Sequence, residues 1–125
     1  LQLARALRFI RDHYTDSLLG VEAVVAATDI SRRLLEKAFR REMKRSLNEE
    51  IIRVRMEKVR DLLVTTQMKV VDVAAATGFS RPSHLFRTFR KCFGVSPKNY
   101  RLAHGYARPT GVQASACLHD GQAEA

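Results

Sequence analysis

Two stretches of this sequence carry the side chains best suited to chemistry with a polyanion. The first sets Arg32, Arg33, Glu36, Lys37, Arg40, Arg41 and Lys44 between apolar residues at helical spacing. The second sets Arg81, Ser83, His84, Arg87, Arg90 and Lys91 in the same way, and from Ser80 to Arg101 it holds six Lys and Arg residues and no acidic one. Exposed helix faces ordinarily mix their signs, so a face of one sign points to a partner of the other. The residue types suit a base edge as well as a phosphate. A guanidinium can donate two parallel hydrogen bonds to guanine, a carboxylate can accept from the cytosine amino group, and an ammonium can serve guanine or phosphate.

The 125 residues include 22 Lys and Arg against 13 Asp and Glu, a net charge of +9. Residues 106–125 hold only Arg108 against Asp120 and Glu124, so residues 1–105 carry 21 basic and 11 acidic side chains. Such an excess attracts nucleic acid first, acidic membrane second and acidic protein third. Other chemistries lack their parts. The histidines stand apart at 13, 84, 104 and 119, with neither a Gly-rich phosphate loop nor a nucleophile motif, which speaks against an enzyme. Cys92 and Cys117 stand in no metal-ligand spacing, Cys92 reads as a filler of an apolar helix face, and nothing calls for a metal or a cofactor. There is no signal peptide, and no apolar run approaches the ~18 residues of a membrane span. The cysteine usage suits a reducing cytoplasm, and a start at Leu1 without Met suggests a piece of a longer protein whose remainder lies upstream.

The elements that must position these side chains are helices throughout. A hydrophobic share of 46% is enough for a helical core. Leu3, Leu7 and Ile10 mark a first helix over about residues 2–14, and Val21, Val24 and Val25 begin a short second one. After a turn at Thr28–Ile30, Ser31 is an N-cap for a third helix with Leu34, Leu35, Ala38, Phe39 and Met43 inward. A longer helix over about 47–66 buries Ile52, Met56, Val59, Leu62 and Leu63. A short helix near 70–77, with Val70, Val73 and Ala74 inward, closes at Gly78. Ser80 reads as the cap of the next, about 81–93, with Pro82 in its first turn and Leu85, Phe86, Phe89 and Phe93 on its core face. Ser96 and Pro97 start a last helix, packed back by Tyr100. Residues 106–125 lose the pattern and read as a flexible tail.

The chain repeats itself. Val21, Val24, Ala27, Thr28, Ser31 and Arg32 match Val70, Val73, Ala76, Thr77, Ser80 and Arg81 at an offset of 49. After one extra residue in the second copy, Leu35, Phe39 and Arg40 match Leu85, Phe89 and Arg90, and Ser46 matches Ser96. Each copy is a short helix, a tight turn and a second helix, the helix-turn-helix pattern, whose second helix can project into a major groove. The expected organisation is a first unit over 1–46, a linker helix over 47–66 and a second unit over 67–105. Some 20 residues of helix span about 30 Å, close to the ~34 Å of one DNA turn. One chain could thus place two reading helices in successive major grooves.

The run from Gly78-Phe79-Ser80 through Leu85-Phe86-Arg87-Thr88-Phe89-Arg90-Lys91-Cys92-Phe93-Gly94-Val95-Ser96-Pro97-Lys98-Asn99-Tyr100-Arg101 resembles the signature of AraC/XylS-type regulators. The resemblance covers about residues 3–103, and Ile30–Phe39 is most similar to the xylose-operon activators. It implies an all-α domain of seven helices, in which two helix-turn-helix subdomains are joined by a long linker helix. It further implies binding to promoter DNA, usually as an activator that touches RNA polymerase. A separate effector-sensing domain is implied upstream, resembling a sugar-binding protein in the xylose branch. A bacterial cytoplasmic, nucleoid location follows.

Carried over by position, the resemblance assigns base contacts to Arg33, Glu36 and Lys37, and in the second unit to Ser83, His84 and Arg87. Pro82 departs from the polar residue usual at its position and can offer only apolar contact. Phosphate contacts fall to Arg32, Arg40, Arg41, Arg81, Arg90, Lys91 and Lys98. Glu36 has a second reading, as a surface partner of Lys37 or Arg40. Two other readings compete. A basic helical module for an acidic protein would bind DNA without base preference. An RNA-binding domain would need exposed stacking aromatics, whereas Phe39, Phe86, Phe89 and Phe93 fall on expected core positions.

Overall fold

A computed structural model describes residues 2–104 of the chain, and over them it shows seven helices and no strand. These are α1 (Gln2–His13), α2 (Val21–Ala26), α3 (Arg32–Met43), α4 (Leu47–Thr65), α5 (Val70–Ala76), α6 (Pro82–Phe93) and α7 (Pro97–His104). The tail expected at 106–125, with Cys117, lies outside the described residues.

Local chemistry sets most of the boundaries. The Ser31 hydroxyl accepts the Leu34 N–H and starts α3. Ser46 and Glu49 form a reciprocal capping box at the head of α4, each side chain accepting the other's backbone N–H. Ser96 accepts the Asn99 N–H at the start of α7. Helix α3 ends on Lys44 and α6 on Gly94, both left-handed, at φ 62° and 80°. After α5, Gly78 turns left-handed at φ 92° and lets the Phe79 N–H reach back to the Ala74 carbonyl, closing the helix as such a glycine does.

Buried residues form two clusters. Ala6, Ile10, Val24, Leu35 and Phe39 make the first with Leu47, Ile51 and Val54 of α4. Met56, Val59, Leu63 and Val64 of the same helix join Val73, Leu85, Phe89 and Tyr100 in the second. Helix α4 therefore packs on α1 along one side and on α5 and α7 along the other. The expected apolar stripe of α4 serves the second cluster only, and Ile51 and Val54 were no part of it. A helix sandwiched between two units is apolar on two faces, so no single stripe describes it.

Three sequence-based expectations need correction. Ser80 does not cap α6; Arg81 occupies the N-cap position without a side-chain cap bond, and Pro82 is the first helical residue. The extra residue of the second copy lies in α5, which has seven residues against the six of α2, and this moves the start of α6 by one. Leu34 and Phe86, both expected inward, are 55% and 43% exposed. Each lies about 100° around its helix from a fully buried leucine, Leu35 or Leu85, which takes it past the edge of the core.

Helix α4 also buries charge. The Glu50 carboxylate is 1% exposed and accepts from Arg45 at 2.8 Å and from two nitrogens of Arg53 at 3.1 and 3.0 Å, so each oxygen is satisfied. Arg55, 7% exposed, donates to the Tyr14 carbonyl at 3.0 Å and the Asp16 carbonyl at 2.8 Å, both after α1. Its guanidinium also lies 5.9 Å from the Phe79 ring centroid in the second turn. Burial lowers the Arg55 pKa, and the nearby Asp16 charge opposes that shift. A Cβ on Gly78 would collide with the Tyr14 carbonyl oxygen and stand 2.7 Å from Arg55 Nε. One buried cation thus ties the turn of the second unit to the loop of the first.

Candidate nucleic-acid interface

The side chains that define the interface stand on α3 and α6, the second helices of the two units. Leu35 and Phe39 anchor α3 in the first cluster, and Leu85 and Phe89 anchor α6 in the second. With these pairs matched and the left-handed caps Lys44 and Gly94 opposite each other, the reading helices correspond at an offset of 50. Arg33 then corresponds to Ser83, Glu36 to Phe86, Lys37 to Arg87 and Arg40 to Arg90.

On α3 the outward side is an open concavity lined by Arg32, Arg33, Glu36, Lys37, Arg40 and Ser46. The three base-edge candidates of the first unit, Arg33, Glu36 and Lys37, therefore share one surface. Glu36 has a surface partner, and it is Arg32 at 3.0 Å rather than Lys37 or Arg40. Arg32 also lies 3.7 Å from Glu22, while Arg40 is 3.8 Å from Glu49 and Arg41 3.3 Å from Glu42. Arg33 and Lys37 make no ion pair among the described residues.

On α6, Ser83, Arg87 and Arg90 are exposed on the corresponding side. His84 corresponds to Leu34 and sits on the opposite flank, its ring centroid 5.2 Å from that of Phe79 in an edge-on arrangement. The structure therefore groups Ser83 with Arg87 and sets His84 apart from them. Arg81, Lys91 and Lys98 are exposed as well, and none of these cations forms an ion pair among the described residues. No group of acidic, His and Cys side chains among those residues could hold a metal, and no helix there is long and apolar enough to cross a membrane.

Sequence reasoning missed Phe86 on this surface. The signal was present: once Leu85 is paired with Leu35, Phe86 must fall at the place of the half-buried, outward Glu36. It also missed Arg55, whose partners lie 41 and 39 residues away and leave no local pattern.

Paired helix-turn-helix units on one connecting helix, each presenting a cationic second helix, define a domain class used to grip a nucleic-acid duplex. The profile of the family described as helix-turn-helix domain matches residues 24–103, and the chain belongs to the AraC/XylS family of transcription regulators. It is 30% identical to the xylose operon regulatory protein of Escherichia coli strain K12 over 97 residues, covering 78% of this chain and 24% of that protein. The transcriptional activator NphR of a Rhodococcus species is 34% identical over 102 residues, covering 82% and 30%. The chain thus spans about a quarter to a third of these relatives. Among solved structures, the DNA-binding domain of AdpA in complex with a target DNA superimposes with a TM-score of 0.79 at 31% identity, covering 87% of this chain and 97% of that one. The C-terminal domain of AraT from Geobacillus stearothermophilus gives 0.80 at 26% identity, covering 90% of both.

Proposed function

We propose that this domain binds double-stranded promoter DNA in a sequence-specific way, with α3 and α6 entering successive major grooves. The observation that carries this reading is the paired placement of two outward cationic helices about a single helix of 19 residues. At about 1.5 Å per residue that helix is roughly 28 Å long, and the groove repeat on one face of B-DNA is ~34 Å. The AdpA domain, superimposable over most of the chain, is bound to a target DNA, which supports the same use here.

Arg33 and Lys37 read guanine edges in the first groove, with Glu36 accepting from cytosine once it parts from Arg32. Ser83 and Arg87 read the second groove, and His84 reaches a base or a phosphate at its border. Arg32, Arg40, Arg41, Arg81, Arg90, Lys91 and Lys98 hold phosphates and fix the register. The domain serves a cytoplasmic transcription activator that meets RNA polymerase and carries an effector-sensing part elsewhere in the full protein. Regulators of the xylose and melibiose operons among its relatives favour a sugar as effector.

Selection from a randomised duplex library, followed by a salt titration, tests the reading. The expected outcome is an asymmetric motif of two blocks about one helical turn apart. Salt-sensitive binding with no enriched sequence would overturn base reading, and no binding at low salt would favour a protein-interaction module.

A further inference from the structure

In the matched register, the ion pair Arg32–Glu36 of α3 is replaced on α6 by Pro82 and Phe86. Both pairs are spaced i, i+4 and so lie one above the other on the same side of their helices. Arg32 and Glu36 line the outward concavity of the first unit, and Pro82 and Phe86 occupy the equivalent place in the second.

Phe86 is 43% exposed, although its helix has a well-formed core. Phe89, Phe93 and Tyr100 pack on one another there, and Phe86 is in contact with none of those rings. Its neighbours on the outward side are Ser83, Arg87 and Arg90, all exposed and polar. A phenyl group left 43% exposed among cations keeps much of its apolar surface in water. Its place is accounted for if an apolar group meets it there. Of the groups that base pairs present in the major groove, the one large apolar feature is the thymine C5-methyl.

Resting on the DNA-binding reading above, we propose that Pro82 and Phe86 form an apolar strip that receives a thymine methyl group. The second unit then selects thymine in its block by contact, while the first selects through charged hydrogen bonds. Phe86 is the specificity-determining residue, and Pro82 provides the neighbouring wall.

The probe is the duplex enriched by selection, compared with copies in which deoxyuridine replaces thymidine one position at a time. Uracil keeps every hydrogen bond and lacks only the methyl group. Loss of one buried methyl contact weakens binding about fourfold. That loss is expected at a thymine of the second block for the native domain and should vanish in Phe86→Ser, with Phe86→Leu retaining part of it. Circular dichroism of Phe86→Ser should match the native spectrum, because the side chain lies outside the core. A second block without thymine, equal binding of the thymidine and deoxyuridine duplexes, or undiminished methyl sensitivity in Phe86→Ser would each overturn the assignment. Failure to enrich any sequence would instead remove the DNA reading, and this assignment with it.

Discussion

The two helix-turn-helix units share a backbone plan and hold their charge in different ways. In the first, Arg32, Arg40 and Arg41 each lie within 4.0 Å of a carboxylate. In the second, Arg81, Arg87, Arg90 and Lys91 face solvent with no such partner among the described residues. Exposed ion pairs are weak, at most about 1 kcal/mol each, so the first unit can release its cations to a ligand at little cost. Until it does, they are held in place and part of the field is cancelled. The second unit presents its full field to an approaching polyanion. A surface that orients its side chains and a surface that attracts from a distance are different tools, and here they stand at opposite ends of one helix.

The turns differ as well. The first turn contains no positive-φ residue, whereas the second needs Gly78 and seats it against Tyr14 and Arg55. Gly78→Ala is the severest way to break that contrast. It combines left-handed strain of about 1–2 kcal/mol with a backbone collision, and stability measured by urea unfolding should fall by about 3 kcal/mol or more. Gly94→Ala, at a positive φ with open space around it, should cost only about 1 kcal/mol. Equal losses would show that the docking of the second turn contributes nothing.

Arg55→Met comes next. It strips the Tyr14 and Asp16 carbonyls of their donor, at a cost of about 2–3 kcal/mol. Binding to duplexes lengthened by one base pair between the two blocks should suffer less in this variant than in the native domain, because the two units are no longer tied. For the reading helices, Arg33→Ala and Arg87→Ala should each weaken binding by about 1–3 kcal/mol and relax preference in different blocks. Loss of preference in the same block would collapse the division between the units. Arg90→Ala should also flatten the salt dependence more than Arg40→Ala, which already has Glu49 nearby. The smallest expected effect is a gain. Lys44 is a non-glycine residue at φ 62° where the other unit has Gly94, so Lys44→Gly should raise stability by about 0.5–1 kcal/mol.

Much of this architecture was legible beforehand because it is locally encoded. Ser31 and Ser96 are caps whose chemistry fixes helix starts within a few residues of themselves, and the buried stripe of α3 repeats at helical spacing. What escaped depends on contacts between distant segments or on a shift in register. Matching Ser80 to Ser31 by identity placed the start of α6 one residue early, since the extra residue of the second copy falls within α5, before the turn, and not after Ser80. Phe86 was missed separately, because an aromatic residue beside Leu85 looked like core. In α4, Ile51 and Val54 were overlooked because two interleaved faces do not produce one clean period. The seating of Gly78 on Arg55 joins the two ends of the domain, and no window along the chain contains both.

A protein that recognises DNA through two identical halves sees a palindrome, and the site reads the same from either side. Here one continuous helix carries unlike faces at its ends, so the recognised sequence has an arrow. Turning that sequence around in a promoter would leave affinity untouched and swing everything attached to the domain to the other side, making orientation itself a signal.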